Sequence, residues 1–102
     1  MQTIELYDDP DYWVQVLLDG TLFNLLLSWN SEGNFWTMGI HNFDREPLVF
    51  LKLTANAPLL QRYRSEQLPA GELIVLSDSS SIGRTDFADQ YAKLVYVTES
   101  EL

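Results

Sequence analysis

His41 is the only histidine in the sequence, so every serine-histidine-aspartate arrangement and every imidazole metal site would have to use it. The chain has no cysteine, which excludes thiolate nucleophiles and cysteine-ligated metals. His41 stands on a predicted strand beside Thr37 and Gly39, with neither a GxSxG motif nor a second histidine nearby. We therefore interpret His41 as a half-exposed structural residue and predict no catalytic site and no enzymatic activity.

The stretch DDPD supplies three carboxylates, from Asp8, Asp9 and Asp11, and Ca²⁺ prefers oxygen ligands of this kind. The glycine and the distal glutamate of a calcium-binding loop are missing, whereas Asp and Pro both favour turns. We predict a turn between strands here and no metal site. Carboxylate pairs for glycoside cleavage cannot be assigned, because fifteen acidic residues offer many pairs without fixed separations.

Hydroxyl groups cluster in SDSSSIGR, residues 77–84, next to Arg84. No general base accompanies them, so this stretch is typical of an exposed loop rather than of a nucleophile site. The phosphate-binding patterns GxxxxGK[ST] and GxGxxG are both absent, and the five glycines are dispersed. We predict no cofactor.

Three tryptophans could form the flat aromatic row that carbohydrate-binding modules stack against sugar rings; they are Trp13, Trp29 and Trp36. Against this, Trp29 shares a predicted strand face with leucines, and Trp36 shares one with Met38 and Ile40. Neighbours of this kind favour core positions. A small carbohydrate-binding β module stays open as the alternative function.

Acidic residues outnumber basic ones, fifteen to six, and give a formal charge of −9. This charge opposes binding to nucleic acid and to anionic membranes, so neither is predicted as a partner. Residues 1–44 hold seven acidic residues and no Lys or Arg, which suits a basic partner surface. Two other interpretations stay open: the acids only keep the protein soluble, or they mimic the phosphates of DNA.

The length of 102 residues and the hydrophobic fraction of 46% predict one folded domain, spanning residues 1–102. The N-terminal stretch MQTIELYDDPDYW has no basic region followed by an apolar run, and no segment approaches the ~20 apolar residues of a membrane span. These features predict a soluble protein that is synthesised in the cytoplasm.

Strand patterns dominate the chain. The stretch YWVQVLLDGTLFNLLLSW predicts a hairpin with a type I′ turn at Asp19 and Gly20. A turn at residues 30–34, strands at 35–42 and 48–53, and a short first strand at TIEL predict an antiparallel meander. NAPLLQRYRS, residues 56–65, has helical spacing and predicts one short helix or helical turn. Further strands follow, separated by a long polar loop at about 77–90. The predicted fold is all-β, mainly antiparallel, a sandwich or partly open barrel with one short helix.

Five stretches in order resemble the baseplate plug proteins of tailed bacteriophages with contractile tails, of the myophage or cyanophage type. They are LYDDPDYWVQVLLDGTLFNLLLSWN, GNFWTMGIHNFDREPLV, LKLTANAPLLQRY, LPAGELIVL and DFADQYAKLVYV. The chain departs from the family at two places where a glycine is expected: the turn at Asp44 and Arg45, and Ala88.

This resemblance implies a non-enzymatic virion protein at the distal end of the tail tube, in the tail baseplate, made in the host cytoplasm. Its implied partners are the tube, hub and spike proteins, with several copies in a symmetric assembly. The family has no catalytic residues to transfer, so the site residues are interface predictions in the polar loop, the termini and exposed strand edges. They are Asp8, Asp9, Asp11, Ser79, Ser80, Ser81, Ile82, Arg84 and Glu99.

Overall fold

The computed structural model describes all 102 residues as seven strands and one short helical turn. The strands are β1 (Gln2–Ile4), β2 (Asp11–Leu18), β3 (Thr21–Asn30), β4 (Phe35–His41), β5 (Pro47–Lys52), β6 (Glu72–Ser77) and β7 (Ala92–Val97). A 3₁₀ turn follows at Glu99–Glu101. Two antiparallel sheets result, one of four strands in the order β2-β3-β4-β5 and one of three in the order β1-β7-β6. The all-β, antiparallel prediction is confirmed.

The four-stranded sheet is the predicted meander. Asp19 and Gly20 both have positive φ, 50° and 80°, as a type I′ turn requires, and the hairpin prediction is confirmed. The strand period of two then puts alternate side chains of β3 and β4 on the inner face, against the second sheet. The inner residues with at most 3% exposure are Phe23, Leu25, Leu27, Trp36, Met38 and Ile40.

The three-stranded sheet covers that inner face and completes one hydrophobic core of 22 buried residues. β7 is its central strand, between β1 and β6, and its Tyr96 side chain is fully buried. The Tyr96 phenol donates a 2.6 Å hydrogen bond to Asp19 Oδ2 in the β2–β3 hairpin. This bond ties the central strand of one sheet to the end of the other.

Residues 56–65, predicted as a short helix or helical turn, contain no helix: a single turn closes from the Tyr63 N–H to the Leu60 carbonyl, and the start of the segment pairs with β6. The Leu59 N–H donates to the Leu73 carbonyl, and the Asn56 N–H donates to the Val75 carbonyl. The Asn56 side chain then exchanges two hydrogen bonds with the backbone of Ser77, at 2.7 and 3.1 Å. The 3₁₀ turn at Glu99–Glu101 is the one helical element of the fold. No helix of this protein has the length and apolar character needed to span a membrane.

Candidate functional site

The structure joins two of the predicted interface segments through an ion pair. The Arg84 guanidinium donates a 2.9 Å hydrogen bond to Asp8 Oδ1, across 76 positions of sequence. The loop that contains Arg84 also meets the β3–β4 turn, since Gly33, Ser80 and Ser81 line one small pocket. The aspartate turn, the β3–β4 turn and the polar loop therefore lie together at one end of the sandwich.

The aspartate turn at this end is ordered by its own side chains. Asp9 Oδ1 accepts a hydrogen bond from the Asp11 N–H, and Asp11 Oδ1 accepts one from the Ser28 hydroxyl on β3. Behind the turn, the Tyr12 hydroxyl accepts a 2.9 Å hydrogen bond from the Tyr7 N–H. Burial raises the pKa of Tyr12, and the charge of Asp9 raises it further. All three aspartates are exposed, as an interface requires.

Hydrogen bonds within the polar loop and to the core hold its backbone. Each of Ser77 and Ser79 accepts a hydrogen bond at its hydroxyl from the N–H two residues later. The Gly83 carbonyl accepts a 3.2 Å hydrogen bond from the Trp36 indole. Ile82 is only 7% exposed and belongs to the core, so this predicted interface residue anchors the loop and cannot offer its side chain to a partner. Of the interface residues predicted in this loop, Ser79, Ser80 and Ser81 are exposed.

We call this surface the acidic end, because carboxylates dominate it. Its exposed acidic residues are Asp8, Asp9, Asp11 and Glu32, with Asp78 and Asp89 in the polar loop, and its basic residues are Lys52 and Arg84. Arg84 is paired with Asp8, and the Lys52 ammonium stacks 4.7 Å from the centroid of the Phe35 ring. Exposed carboxylates without a local counter-charge favour contact with a basic protein surface. No group of three or more His, Cys, Asp or Glu side chains is arranged to hold a metal ion.

Glu99 lies at the opposite end of the sandwich and not with the other predicted residues. Glu99 lines a shallow pocket with Asp19 of the β2–β3 hairpin. Asp19 is separated from Asp11 by the length of β2, which is about 24 Å for eight residues. In the same turn, hydrogen bonds from the N-terminal amine and from Thr98 lower the pKa of Glu101 to about 2. Burial and the hydrogen bond to Asp19 raise the pKa of Tyr96 to about 12.

His41 is buried, and the prediction that it is half-exposed is wrong. It lies on the outer face of the four-stranded sheet, where its ring contacts Trp13 and Phe50 edge-on at centroid distances of 4.8 and 5.4 Å. Gly39 makes this possible, because a Cβ at that position would stand 2.6 Å from the Phe50 ring. The Arg45 guanidinium also lies over the Trp13 ring, 4.6 Å from its centroid. The Nδ1 atom of His41 has no hydrogen-bond partner, and no second catalytic group accompanies it.

The tryptophans do not form a flat row. Trp36 is 1% exposed, and Trp29 packs against it at a centroid distance of 5.5 Å, so the core interpretation is confirmed for both. Trp13 alone lies on the outer face, 37% exposed. A single, partly covered ring cannot provide the series of stacking platforms that the carbohydrate-binding alternative needs.

A comparison with family models matches the chain over residues 1–99 to the family described as "Cyanophage baseplate Pam3 plug gp18". The chain belongs to this baseplate plug family. No curated protein matches the chain. The resemblance identified from the ordered sequence stretches is thereby confirmed.

Membership in a baseplate plug family gives the protein a structural role in the tail baseplate of the virion, in association with other baseplate components. This plug family is structural and is not an enzyme family. One departure from the expected family pattern also has a visible consequence: Arg45 has a φ of 62°, the left-handed conformation that glycine adopts most readily. Ala88, the other departure, does not have a positive φ.

Proposed function

We propose that this protein is the plug at the distal end of a contractile phage tail tube, where it bridges or closes the hub and spike region. The observation that supports the proposal most directly is the match to a baseplate plug family over residues 1–99 of 102. The protein is made in the host cytoplasm and joins the assembly in several symmetry-related copies. Its partners there are the tube, hub and spike proteins.

The acidic end is the surface we assign to the neighbouring baseplate protein. Its turns are ordered by internal hydrogen bonds and by the pair between Asp8 and Arg84, so little conformational entropy is lost on docking. Its surplus carboxylates require a basic partner surface. Glu99, at the far end, is assigned to a second contact, because a bridging protein must meet neighbours at both ends.

Particle composition tests the plug role. Virions purified from a phage lacking this gene should lack assembled tails or lose infectivity, and wild-type virions should contain the protein in a fixed ratio to the spike. Mass spectrometry of the purified particles measures that ratio. Infectious, fully tailed particles without the protein would contradict the proposal.

Charge reversal tests the acidic end. Asp9→Lys places a cation at the exposed turn and should reduce incorporation into baseplates, with the defect growing at low ionic strength because the repulsion is then less screened. Glu66→Lys is the matched control: it makes the same charge change at an exposed site beside Arg64, away from the acidic end. Equal incorporation of the two variants would remove the acidic end from the interface.

A further inference from the structure

One edge of the four-stranded sheet is open, and its hydrogen-bonding groups can be identified from the register of β2 and β3. The Trp29 N–H donates a 2.8 Å hydrogen bond to the Pro10 carbonyl. Because opposed residues of an antiparallel pair exchange hydrogen bonds at every second position, the ladder to β3 uses the even-numbered residues of β2. The register runs from Asp11 to Leu18 without a shift. The odd-numbered residues of β2 therefore direct their N–H and carbonyl groups away from the sheet.

Side chains occupy the two ends of this open edge. The Leu17 carbonyl accepts a 3.2 Å hydrogen bond from the Gln2 side chain, as its outward direction predicts. At the other end, the Asp11 N–H donates to Asp9 Oδ1. Between these caps lie the Asp11 carbonyl, the N–H and carbonyl groups of Trp13 and Gln15, and the Leu17 N–H, and none of them has a partner strand. Six backbone groups in a row are thus free to pair with an extended chain.

The other strand edges are guarded in ways that β2 is not. β6 is paired with Asn56 and Leu59, whose hydrogen bonds close its outer side, and β1 has only three residues. β5 begins with Pro47, ends with Lys52 and adjoins a bulge at residues 40–41, and these are features with which natural sheets discourage edge pairing. The interior of β2 has no proline, no lysine and no bulge.

We propose that the β2 edge accepts an extended, basic strand of a neighbouring baseplate protein, which adds a fifth strand to the sheet; this inference rests on the proposed function. The charge around the edge determines the chemistry of the strand. Asp8, Asp9 and Asp11 lie at its start and Asp19 lies just beyond its end. Two cations lie near them, Arg84 on Asp8 and Arg45 over the Trp13 ring, so the carboxylates outnumber the cations four to two. A second copy of this chain fits the edge less well, because each copy carries a charge of −9 and two copies repel each other. The other long edge of the sheet, β5, also has the proline, lysine and bulge that discourage pairing.

The partner strand would bring side chains onto the outer face of the sheet. Trp13 begins a cross-strand row that continues through Leu26 and Gly39 to Phe50. A residue paired with Trp13 extends this row by one position, where an apolar side chain contacts the indole. Main-chain pairing thus supplies affinity. The row that begins at Trp13 selects apolar side chains in the partner strand, and the flanking aspartates select basic ones.

Hydrogen exchange tests the geometry of the edge. In the isolated protein, the amide hydrogens of Trp13 and Gln15 should exchange quickly and those of Val14 and Val16 slowly, because only the second pair is bonded to β3. In purified baseplates all four should be protected. Fast exchange at Trp13 and Gln15 in the baseplate would overturn the proposal. So would protection of both in an isolated protein that sediments as a dimer, because a second copy would then occupy the edge.

Substitution tests whether the edge is needed for assembly. Gln15→Pro removes an outward N–H and adds a ring, so it should leave the fold intact and reduce incorporation into baseplates about tenfold. Phe50→Pro is the matched control on β5. The ladder bond from the Leu53 N–H to the Trp36 carbonyl turns the N–H groups of the even-numbered β5 residues outward, and Phe50 is 61% exposed and lies outside the acidic end. Phe50→Pro should incorporate normally. Equal incorporation of the two folded variants would overturn the proposal.

A second pair of variants keeps the backbone donors and tests the charge, in case Gln15→Pro does not fold. Gln15→Lys should reduce incorporation and Gln15→Glu should preserve it, if the partner strand is basic. The opposite order, or no difference, would overturn the proposal. Incorporation of the wild-type protein into baseplates tests the plug role alone. The ratio of incorporation between the Gln15 variants tests whether the β2 edge binds a basic strand. A wild-type protein absent from baseplates would overturn both.

Discussion

Arg84 and Asp8 form an ion pair at 2.9 Å that fastens the polar loop to the aspartate turn. The Arg84 guanidinium also lies 5.8 Å from the centroid of the Trp36 ring, whose indole donates to the loop backbone at Gly83. The aspartate turn and the polar loop, which are far apart in sequence, thus form one surface in the fold. The Trp36 indole and the Arg84 guanidinium hold the loop in this position.

The pair between Asp8 and Arg84 should contribute little to global stability. Both side chains are partly exposed, 64% and 31% respectively, and exposed ion pairs contribute about 0.2–1 kcal/mol. Asp8→Asn, Arg84→Gln and the double variant form a double-mutant cycle that urea unfolding can measure. The coupling energy should fall within that range and decrease with added salt. A coupling above about 2 kcal/mol would show that solvent screens the pair less than its exposure indicates.

Tyr96 should contribute more than the ion pair, because its hydroxyl is buried and has two partners. It donates to Asp19 and accepts a 2.8 Å hydrogen bond from the Gly71 N–H. Tyr96→Phe removes both bonds and leaves a buried N–H unpaired, so the free energy of unfolding should fall by about 2–3 kcal/mol. Tyr91→Phe is the matched control: its side chain is 72% exposed, and it should change stability by less than about 0.5 kcal/mol. Equal losses would contradict the role of the hydroxyl.

The raised pKa of Tyr96 predicts a loss of stability in alkali. Burial and the neighbouring Asp19 carboxylate favour the neutral phenol and raise its pKa from 10.0 to about 12 in the folded state. The stabilisation is fully present below pH 10, and it is lost as the pH rises towards 12, by about 3 kcal/mol in total. Urea unfolding of the wild-type protein and of Tyr96→Phe between pH 9 and pH 12 measures it. The Tyr96→Phe variant should lose less stability over this range, and parallel pH profiles would contradict the assignment.

The sequence predicted the strands and the hairpin because their signals are local. Asp19 and Gly20 determine a turn type by their own backbone preferences, and the period of two places Trp36 inside. The segment at 56–65 differs from its prediction because its local signals favour a helix, whereas its conformation is determined by pairing with β6. Asn56 has the side chain of a helix N-cap, but its φ is 58° and its amide bonds to Ser77, 21 residues away. The spacing of apolar residues within the segment cannot predict a hydrogen bond to a residue so distant in sequence.

In the candidate site, too, local features are predictable from the sequence and long-range contacts are not. The residue types of the aspartate turn predict its exposure, but nothing local predicts the ion pair between Asp8 and Arg84, which are 76 positions apart. The residue types around His41 predict a half-exposed side chain, because a polar residue on a strand usually meets water. The structure buries it under Trp13 and Phe50, and Gly39 provides the space for Phe50. The only sequence signal was the glycine two positions before the histidine.

His41 should prove structural. His41→Ala removes two edge-on aromatic contacts, each of which contributes about 0.5–1.5 kcal/mol, so the free energy of unfolding should fall by about 1–3 kcal/mol. Incorporation into baseplates should persist at temperatures where the variant is folded. Circular dichroism and particle composition measure the two effects. A folded variant that no longer incorporates would give His41 a direct part in the interface.

The attachment of the polar loop to Trp36 gives the last prediction. Trp36→Phe leaves the Gly83 carbonyl without its indole donor and opens a cavity in the core, so stability should fall by about 2–4 kcal/mol and the loop at 77–90 should become more sensitive to protease. Trp29→Phe is the matched control, because Trp29 is only partly buried and its indole bonds to nothing in the loop. It should lose less stability, and its loop should stay resistant to protease.

If both variants are cleaved in the loop at the same rate, general loosening of the core explains the effect, and the hydrogen bond from the Trp36 indole does not hold the loop. If only Trp36→Phe is cleaved, the bond to Gly83 orders the loop of the acidic end, and the same variant should also incorporate poorly into baseplates.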